Sequence, residues 1–393
     1  MPLRIIIFEG SLQPPVFIRR LIEGLIKAGH EVFLLHFGND KKSGINNLHY
    51  ISLGNSRNLI FLIFQSLRYA FNEGFAAVRE TFKIITAGNK KNLYKRNLCL
   101  RLKEIKPDVI HVQWPAFLDV LEEVIEEGKY PVILSQRGYQ VNVKPYVHPA
   151  YFKNLEAVFP KLSGFHSVSK AISERGDEIW TSAAKVDNVV YTGVDLNTLA
   201  FKNDYSKNKK LQILTVGRPH WKKGLHDVVS ACGILSRDEI NFELTIIGGI
   251  GNEEILFLKH FYNLEDKVKI SGKVPMDIVY KLMSESDLLV VSSIEEGIPN
   301  VLVEAMALGL PVISTSCGGV EEVIQNGIQG WVVPTRDPVA LADQIRYFYS
   351  LPHHEIEMVR KAARQKIEDQ HSYGQMIEGM ESLYIRTIEQ FRI

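Results

Sequence analysis

Long apolar runs are missing from the first half of this 393-residue chain. The longest there, 59–64, falls far short of the ~20 residues that a bilayer-spanning helix needs, so no membrane span is expected. Cysteine is scarce: Cys99, Cys232 and Cys317 stand far apart with no CxxC pair. That excludes a disulfide framework and a zinc site and points to reduced, buried thiols in a cytoplasmic protein. No Asp-x-Asp, HExxH or His/Cys cluster supplies ligands for a metal-dependent mechanism. The opening MPLRIIIFEG enters a strand-like run without a charged leader or a small-residue cleavage site, so no secretory signal is expected. After that strand the sequence reads Phe8-Glu-Gly-Ser-Leu-Gln-Pro14, with no GxGxxG, which argues against a nicotinamide-dependent dehydrogenase. A net charge of +1 with 46% hydrophobic residues excludes both a disordered chain and a generic nucleic-acid binder.

Short apolar runs bounded by turns alternate with helix-period segments. They fall at 4–8, 32–35, 109–112, 132–135 and 166–169, with a helix expected over 17–28 from Phe17, Ile18, Leu21, Ile22 and Leu25. The rhythm restarts at 211–216 and continues through 242–247, 268–270, 288–292, 311–314 and 331–333. This predicts two α/β domains, each a Rossmann-like parallel sheet flanked by helices. The polar, aperiodic stretch 192–210 reads as a linker. The expected segments are 1–195, 196–371 and a C-terminal helix over 372–393, whose apolar face of Met376, Met380, Leu383, Tyr384 and Ile388 needs a partner.

Charge is uneven. Residues 57–106 carry eleven basic and three acidic side chains, a net +8, which leaves −7 for the rest. Beside Phe61, Phe64, Tyr69 and Phe71, such a basic segment suits either an anionic membrane surface or the solvated faces of ordinary helices.

The stretch SSIEEGIPNVLVEAMALGLPVIST (292–315) places a Glu-Gly-x-Pro turn between a buried strand and a helix, with Glu296 in the turn and Glu304 in the helix. A helix start beyond a strand's carboxyl end offers N–H groups to an anion such as pyrophosphate. A glycosidase pair fits poorly. If all eight steps were helical they would rise ~12 Å, whereas retaining glycosidase carboxyls stand roughly 5 Å apart, although Glu296 precedes the helix and leaves that separation open. Glu304 suits two ribose hydroxyls, and Glu296 suits a sugar. In VGRPHWKKG a strand ends in Gly217, and Arg218 and Lys223 supply the cations a diphosphate needs. The loops carrying Gly248 and 270–274, with Lys273 and Val274, bring glycine to strand ends where backbone can approach a ligand. In the first half, His111, Gln113, Trp114 and Arg137 end strands as candidate acceptor contacts, with Gly10 and Ser11 in the first loop.

These motifs, with AGHEV at 28–32, DVIHV at 108–112, GVD at 193–195 and GGVEEVI…GWVVP between Gly318 and Pro334, resemble the family-4 retaining glycosyltransferases of the GT-B fold. The resemblance implies two Rossmann-like domains with parallel sheets facing a central cleft and a C-terminal helix crossing back to the first domain. It implies a metal-independent retaining hexosyltransferase with no cofactor, taking a UDP- or GDP-linked sugar as donor. The acceptor is a glycan or glycolipid, in cell-surface polysaccharide or lipopolysaccharide synthesis, with the enzyme cytoplasmic or peripheral at the inner membrane face. By the same resemblance Arg218 and Lys223 hold the pyrophosphate and Glu304 the ribose. Glu296 and the backbone of Gly297, Ile298, Pro299, Asn300, Val301 and Leu302 hold the donor sugar and distal phosphate. The departing phosphate takes the acceptor's proton. Two departures stand out: Arg137 occupies the place where many members have a histidine, which suggests a charged acceptor, and the first loop reads Glu-Gly-Ser rather than paired glycines. A nucleotide-sugar 2-epimerase of the same architecture and a non-catalytic nucleotide-sugar-binding protein remain open as alternatives.

Overall fold

The computed structural model describes residues 2–203, 205–238 and 240–392. Met1, Asp204, Glu239 and Ile393, which fall within the expected segments 1–195, 196–371 and 372–393, lie outside the described residues. Two compact units emerge. The first holds the chain up to Val168, then Ile172–Val190 and the residues from Met376 on; the second holds Ser169–Ala171 and Tyr191–Gln375.

The first unit is built on a parallel seven-stranded sheet of β1 (Arg4–Gly10), β2 (Glu31–His36), β3 (Leu48–Ser52), β4 (Val109–Val112), β5 (Val132–Gln136), β6 (Gly164–Ser167) and β7 (Asp187–Val189). Its strand order, β3-β2-β1-β4-β5-β6-β7, reverses between β1 and β4. β1, β4 and β5 are apolar almost throughout because helices cover both faces, as a buried parallel sheet requires. The helix Val16–Lys27 starts after Pro15 and buries Ile18, Leu21, Ile22 and Leu25. β3 and β7 were not expected from the sequence, and β6 begins two residues earlier than the expected 166–169.

The second unit repeats the plan with β8 (Leu211–Val216), β9 (Phe242–Ile247), β10 (Val268–Ser271), β11 (Leu288–Val291), β12 (Val312–Thr315) and β13 (Trp331–Val333), in the order β10-β9-β8-β11-β12-β13. All pairs are parallel, and the order reverses between β8 and β11. The aperiodic stretch after Tyr191 is anchored to this unit: Leu199 and Tyr205 are buried, and the Tyr205 hydroxyl donates to the Asp287 carbonyl at 3.0 Å.

The C-terminal helix Tyr373–Phe391 buries the expected face. From Met376 on it belongs to the first unit. His30 Nε2 lies 2.8 Å from Glu381, and the Tyr384 hydroxyl lies 2.8 Å from His111 Nδ1. Taking Met376, Met380, Leu383 and Ile388 out of water contributes roughly 1.5–3 kcal/mol each.

Candidate functional site

Ligands of open parallel sheets bind beyond the strands' carboxyl ends, where the strand order reverses. In the second unit that point lies at the ends of β8 and β11, and the two strongest motifs of the sequence sit there. After β8, the Gly217 N–H donates to the Ile247 carbonyl at 2.9 Å. A single 3-10 turn, Trp221–Lys223, follows and opens with His220, whose Nδ1 accepts from the Lys222 N–H at 3.3 Å. Gly224 ends the turn with φ +56°, and a Cβ there would stand 1.9 Å from the Ser292 carbonyl oxygen. The loops after β8 and β11 are therefore in backbone contact. The Lys222 carbonyl accepts from the Ile294 N–H at 2.7 Å, and the Ser292 hydroxyl donates to the Lys223 carbonyl at 3.2 Å.

This contact brings the candidate cation to the candidate carboxylate. The stem of Lys223 lies along Gly217, and its ammonium pairs with Glu296 Oε1, both side chains being largely shielded from water. The Glu296 turn is held from behind by the loop after β12. Gly318, at φ +52°, comes so close that a Cβ would stand 1.9 Å from the Glu296 carbonyl oxygen, and the Gly319 N–H donates to the Gly297 carbonyl at 2.6 Å. Burial pushes the neighbouring Cys317 thiol up to about 12, so it stays protonated.

The helix Asn300–Leu308 starts after Pro299 with no side-chain cap. The N–H groups of Asn300 and Val301, at its first turn, have no intrahelical acceptor by geometry and suit an anion. Leu302 is fully buried, and Ile298, Val301 and Val274 pack on the core, so these residues offer a ligand their backbone rather than their side chains. Glu304, one turn in, is buried and accepts from the Tyr280 hydroxyl at 3.2 Å. Gly248 abuts the Gly217 carbonyl, while Arg218 and Lys273 are exposed cations on neighbouring loops. Sequence reasoning missed Lys222, whose burial lowers its pKa and whose carbonyl joins the two loops, and Tyr280. Among the described residues no group of three His, Cys, Asp or Glu side chains is placed to hold a metal ion.

In the first unit the reversal point lies at the ends of β1 and β4. Gln113 is fully buried, and its Oε1 accepts from Arg137 Nη2 at 3.1 Å while its Nε2 has no partner. The Arg137 guanidinium lies 4.9 Å from the centre of the Phe17 ring, and Phe17 meets Trp114 edge-on at 6.3 Å. Burial draws Arg137 down to about 10, still charged at neutral pH. Glu9 is buried beside Trp114, its pKa raised by that burial, and its carboxylate accepts from the Ser11 N–H at 2.7 Å. Gly10 opens the same loop against the Phe117 ring, and Ser11 is exposed.

His111, which the sequence allowed equally as a core histidine or an acceptor contact, lies in the core. It is fully buried, with Nδ1 2.8 Å from the Tyr384 hydroxyl and Nε2 2.8 Å from the Ser135 hydroxyl. Ser135 in turn lies 2.8 Å from His166 Nδ1. Burial holds His111 well below the usual histidine range and His166 at about 3, so both rings are neutral and serve as internal struts under Gln113 and Arg137. The sequence marked Phe17 and Tyr384 only as helix-face residues, because the contacts of Phe17 with Arg137 and of Tyr384 with His111 span long stretches of chain.

Residues 198–366 match the family of glycosyl transferases group 1. The chain is 34% identical over 182 residues to the putative colanic acid biosynthesis glycosyltransferase WcaL of Salmonella typhimurium, covering 44% of this chain and 45% of that protein. It is 35% identical over 207 residues to the amylovoran biosynthesis glycosyltransferase AmsK of Erwinia amylovora, covering 50% and 51%. The aligned chain thus spans about half the length of these curated relatives. Among solved structures, sucrose-phosphate synthase from Thermosynechococcus elongatus superposes with a TM-score of 0.78 at 18% identity over 98% of this chain and 99% of that one. Anabaena HepE in complex with UDP and glucose superposes with a TM-score of 0.70 at 14% identity over 98% and 100%. The match to this family is confined to residues 198–366, and the chain as a whole has the GT-B fold.

Proposed function

We propose that this protein is a retaining, metal-independent hexosyltransferase of family 4 that moves a sugar from a nucleotide diphosphate donor to a glycan or glycolipid acceptor in cell-surface polysaccharide synthesis. The observation that carries the reading is the Lys223–Glu296 pair, held at the β8/β11 reversal point beside an uncapped helix start. The relatives' printed roles in colanic acid and amylovoran biosynthesis support the acceptor class. The UDP in HepE supports a nucleotide donor, with UDP and GDP both to be tested.

In this proposal segment 196–371 holds the donor and segment 1–195, with the helix over 372–393, holds the acceptor. Lys223 and Arg218 bind the diphosphate and stabilise charge on the leaving phosphate, and the Asn300 and Val301 N–H groups add to this. Glu304 accepts from the ribose hydroxyls. Lys223 turns from Glu296 to the phosphate when donor binds, which frees the carboxylate of Glu296 for the sugar. The departing phosphate oxygen takes the acceptor's proton as the new glycosidic bond forms on the same face. Gln113, Trp114 and Arg137 contact the acceptor, and Arg137 favours a charged one.

A screen of nucleotide sugars by thermal shift tests the donor, since a ligand that binds only the folded state raises its stability with occupancy. The anomeric configuration of the product, read by NMR, tests retention. Release of an epimerised nucleotide sugar without acceptor would support the 2-epimerase instead, and binding without turnover would support a sensor.

The proposal includes peripheral attachment to an anionic membrane face. On the helices Leu59–Glu73 and Phe75–Thr86, Ile60 is 82% and Phe75 85% exposed, with Phe64 and Phe71 also in water, within the +8 segment. Apolar side chains beside basic ones suit an anionic interface. Flotation with anionic liposomes that weakens with salt is expected; no binding at low salt would leave these as solvated helices.

A further inference from the structure

The first unit contains a cavity of about 420 Å³ that none of the donor or acceptor candidates lines. Its size falls within the roughly 300–1,000 Å³ common for small-molecule sites. It lies at the carboxyl end of β2, one strand over from the Gly10 loop and so on the ligand-binding edge of the sheet.

Four cations reach it: Lys41 and Lys42 from the loop after β2, Arg68 from the helix Leu59–Glu73 and Arg101 from the helix Lys90–Ile105. Asp40 is the one carboxylate in the wall, and it is engaged by Arg68 at 2.8 Å and by Gln65 Nε2 at 3.0 Å. Neither Lys41 nor Lys42 has an acidic partner among the described residues. The two guanidiniums share one ring: Arg101 lies 4.9 Å and Arg68 5.3 Å from the centre of Tyr69. Tyr69 is fixed, since it is buried and its hydroxyl donates to the Ser52 carbonyl at 2.7 Å. Arg101 pairs with Glu104 through Nη1, yet its buried Nε has no partner. Behind Tyr50, fully buried His36 has no partner for either ring nitrogen.

Like charges held together on a rigid support, with unmet donors nearby, favour an oxyanion, and a guanidinium edge matches phosphate geometry. We propose that this cavity binds a phosphate or diphosphate group, separate from the donor site in the second unit. Such a group comes either from a soluble phosphorylated sugar or from a phospholipid headgroup. The inference stands on the cavity itself and holds whether or not the transferase reading does.

The test is calorimetric titration of the full chain with inorganic pyrophosphate. Lys42→Glu, at an exposed position, is compared with Lys153→Glu, an exposed lysine of the same unit away from the cavity, and with Lys223→Ala in the second unit. Loss of a charge-assisted contact is expected to weaken this site about tenfold or more in Lys42→Glu, with the site intact in the other two. Arg68→Gln is expected to weaken it in the same sense. Pyrophosphate affinity in Lys42→Glu equal to that in Lys153→Glu would overturn the proposal. Sedimentation with phosphatidylglycerol vesicles then separates the sources: a parallel loss in Lys42→Glu assigns a lipid headgroup, and unchanged vesicle binding assigns a soluble phosphorylated sugar.

Discussion

Gly224→Ala probes the contact that joins the loops after β8 and β11 at the proposed donor site. Gly224 has φ +56°, and a Cβ at that position would stand 1.9 Å from the Ser292 carbonyl oxygen and 3.0 Å from its carbon. Backbone lies on both sides of this clash, so no side chain can swing away to relieve it. A left-handed backbone costs a residue with a Cβ roughly 1–2 kcal/mol. Separating the loops also breaks the Ile294 N–H to Lys222 carbonyl and Ser292 hydroxyl to Lys223 carbonyl bonds, worth about 1 kcal/mol each. The sum, about 3–4 kcal/mol, lowers the second unit's melting temperature by on the order of 10 °C. The control is Gly327→Ala, in the same unit at φ +80° with nothing within 4 Å of the added carbon, which carries the conformational cost alone. Scanning calorimetry compares the two variants, and nucleotide-sugar thermal shift reads the proposed donor site in each. Equal melting temperatures for both variants, with donor binding retained in Gly224→Ala, would refute the reasoning.

Two further outcomes follow from buried polar groups. Burial holds His36 and His371 at about 4, His166 at about 3 and His111 well below the usual range, whereas unfolded histidine protonates near ~6.5. The unfolded chain therefore binds more protons below that pH, so stability is full above about 6.5 and falls toward pH 4, by about 1.4 kcal/mol per pH unit for each ring. Denaturant midpoints at pH 7.5, 6 and 5 check this, and a midpoint that stays level or rises on acidification would contradict it. Glu304→Ala removes the proposed ribose acceptor and is expected to weaken nucleotide binding about tenfold to a hundredfold by calorimetry, with Glu304→Gln intermediate; unchanged affinity would place the ribose elsewhere.

How much the sequence revealed depended on whether the signal was local. β8 and β9 were legible residue for residue because each is a buried apolar run between turns. β3 and β7 were not, since both are edge strands with partly exposed residues and no clean alternation. The start of β6 was placed two residues late, at 166 rather than Gly164. In the structure that glycine makes room for the C-terminal helix, and a Cβ there would stand 2.7 Å from Thr387 Oγ1. The residues 217–224 and 292–304 could be read as a candidate site from glycine, charge and strand ends. That Lys223 would pair with Glu296, or Glu304 with Tyr280, was not legible, because those contacts span long stretches of chain and depend on the order of the strands. His111 shows the converse. A histidine at a strand end suits the core as well as a working role, and the approach of Tyr384 and Ser135 places this one as an internal strut.

The central claim, that Lys223 stabilises the leaving phosphate of a nucleotide sugar, is tested most directly by the kcat of Lys223→Ala with the donor identified by the screen. Loss of one preorganised charge-stabilising donor predicts a fall on the order of 10²–10³-fold at a temperature where the variant is still folded. A kcat equal to wild type would remove Lys223 from the chemistry and contradict the account.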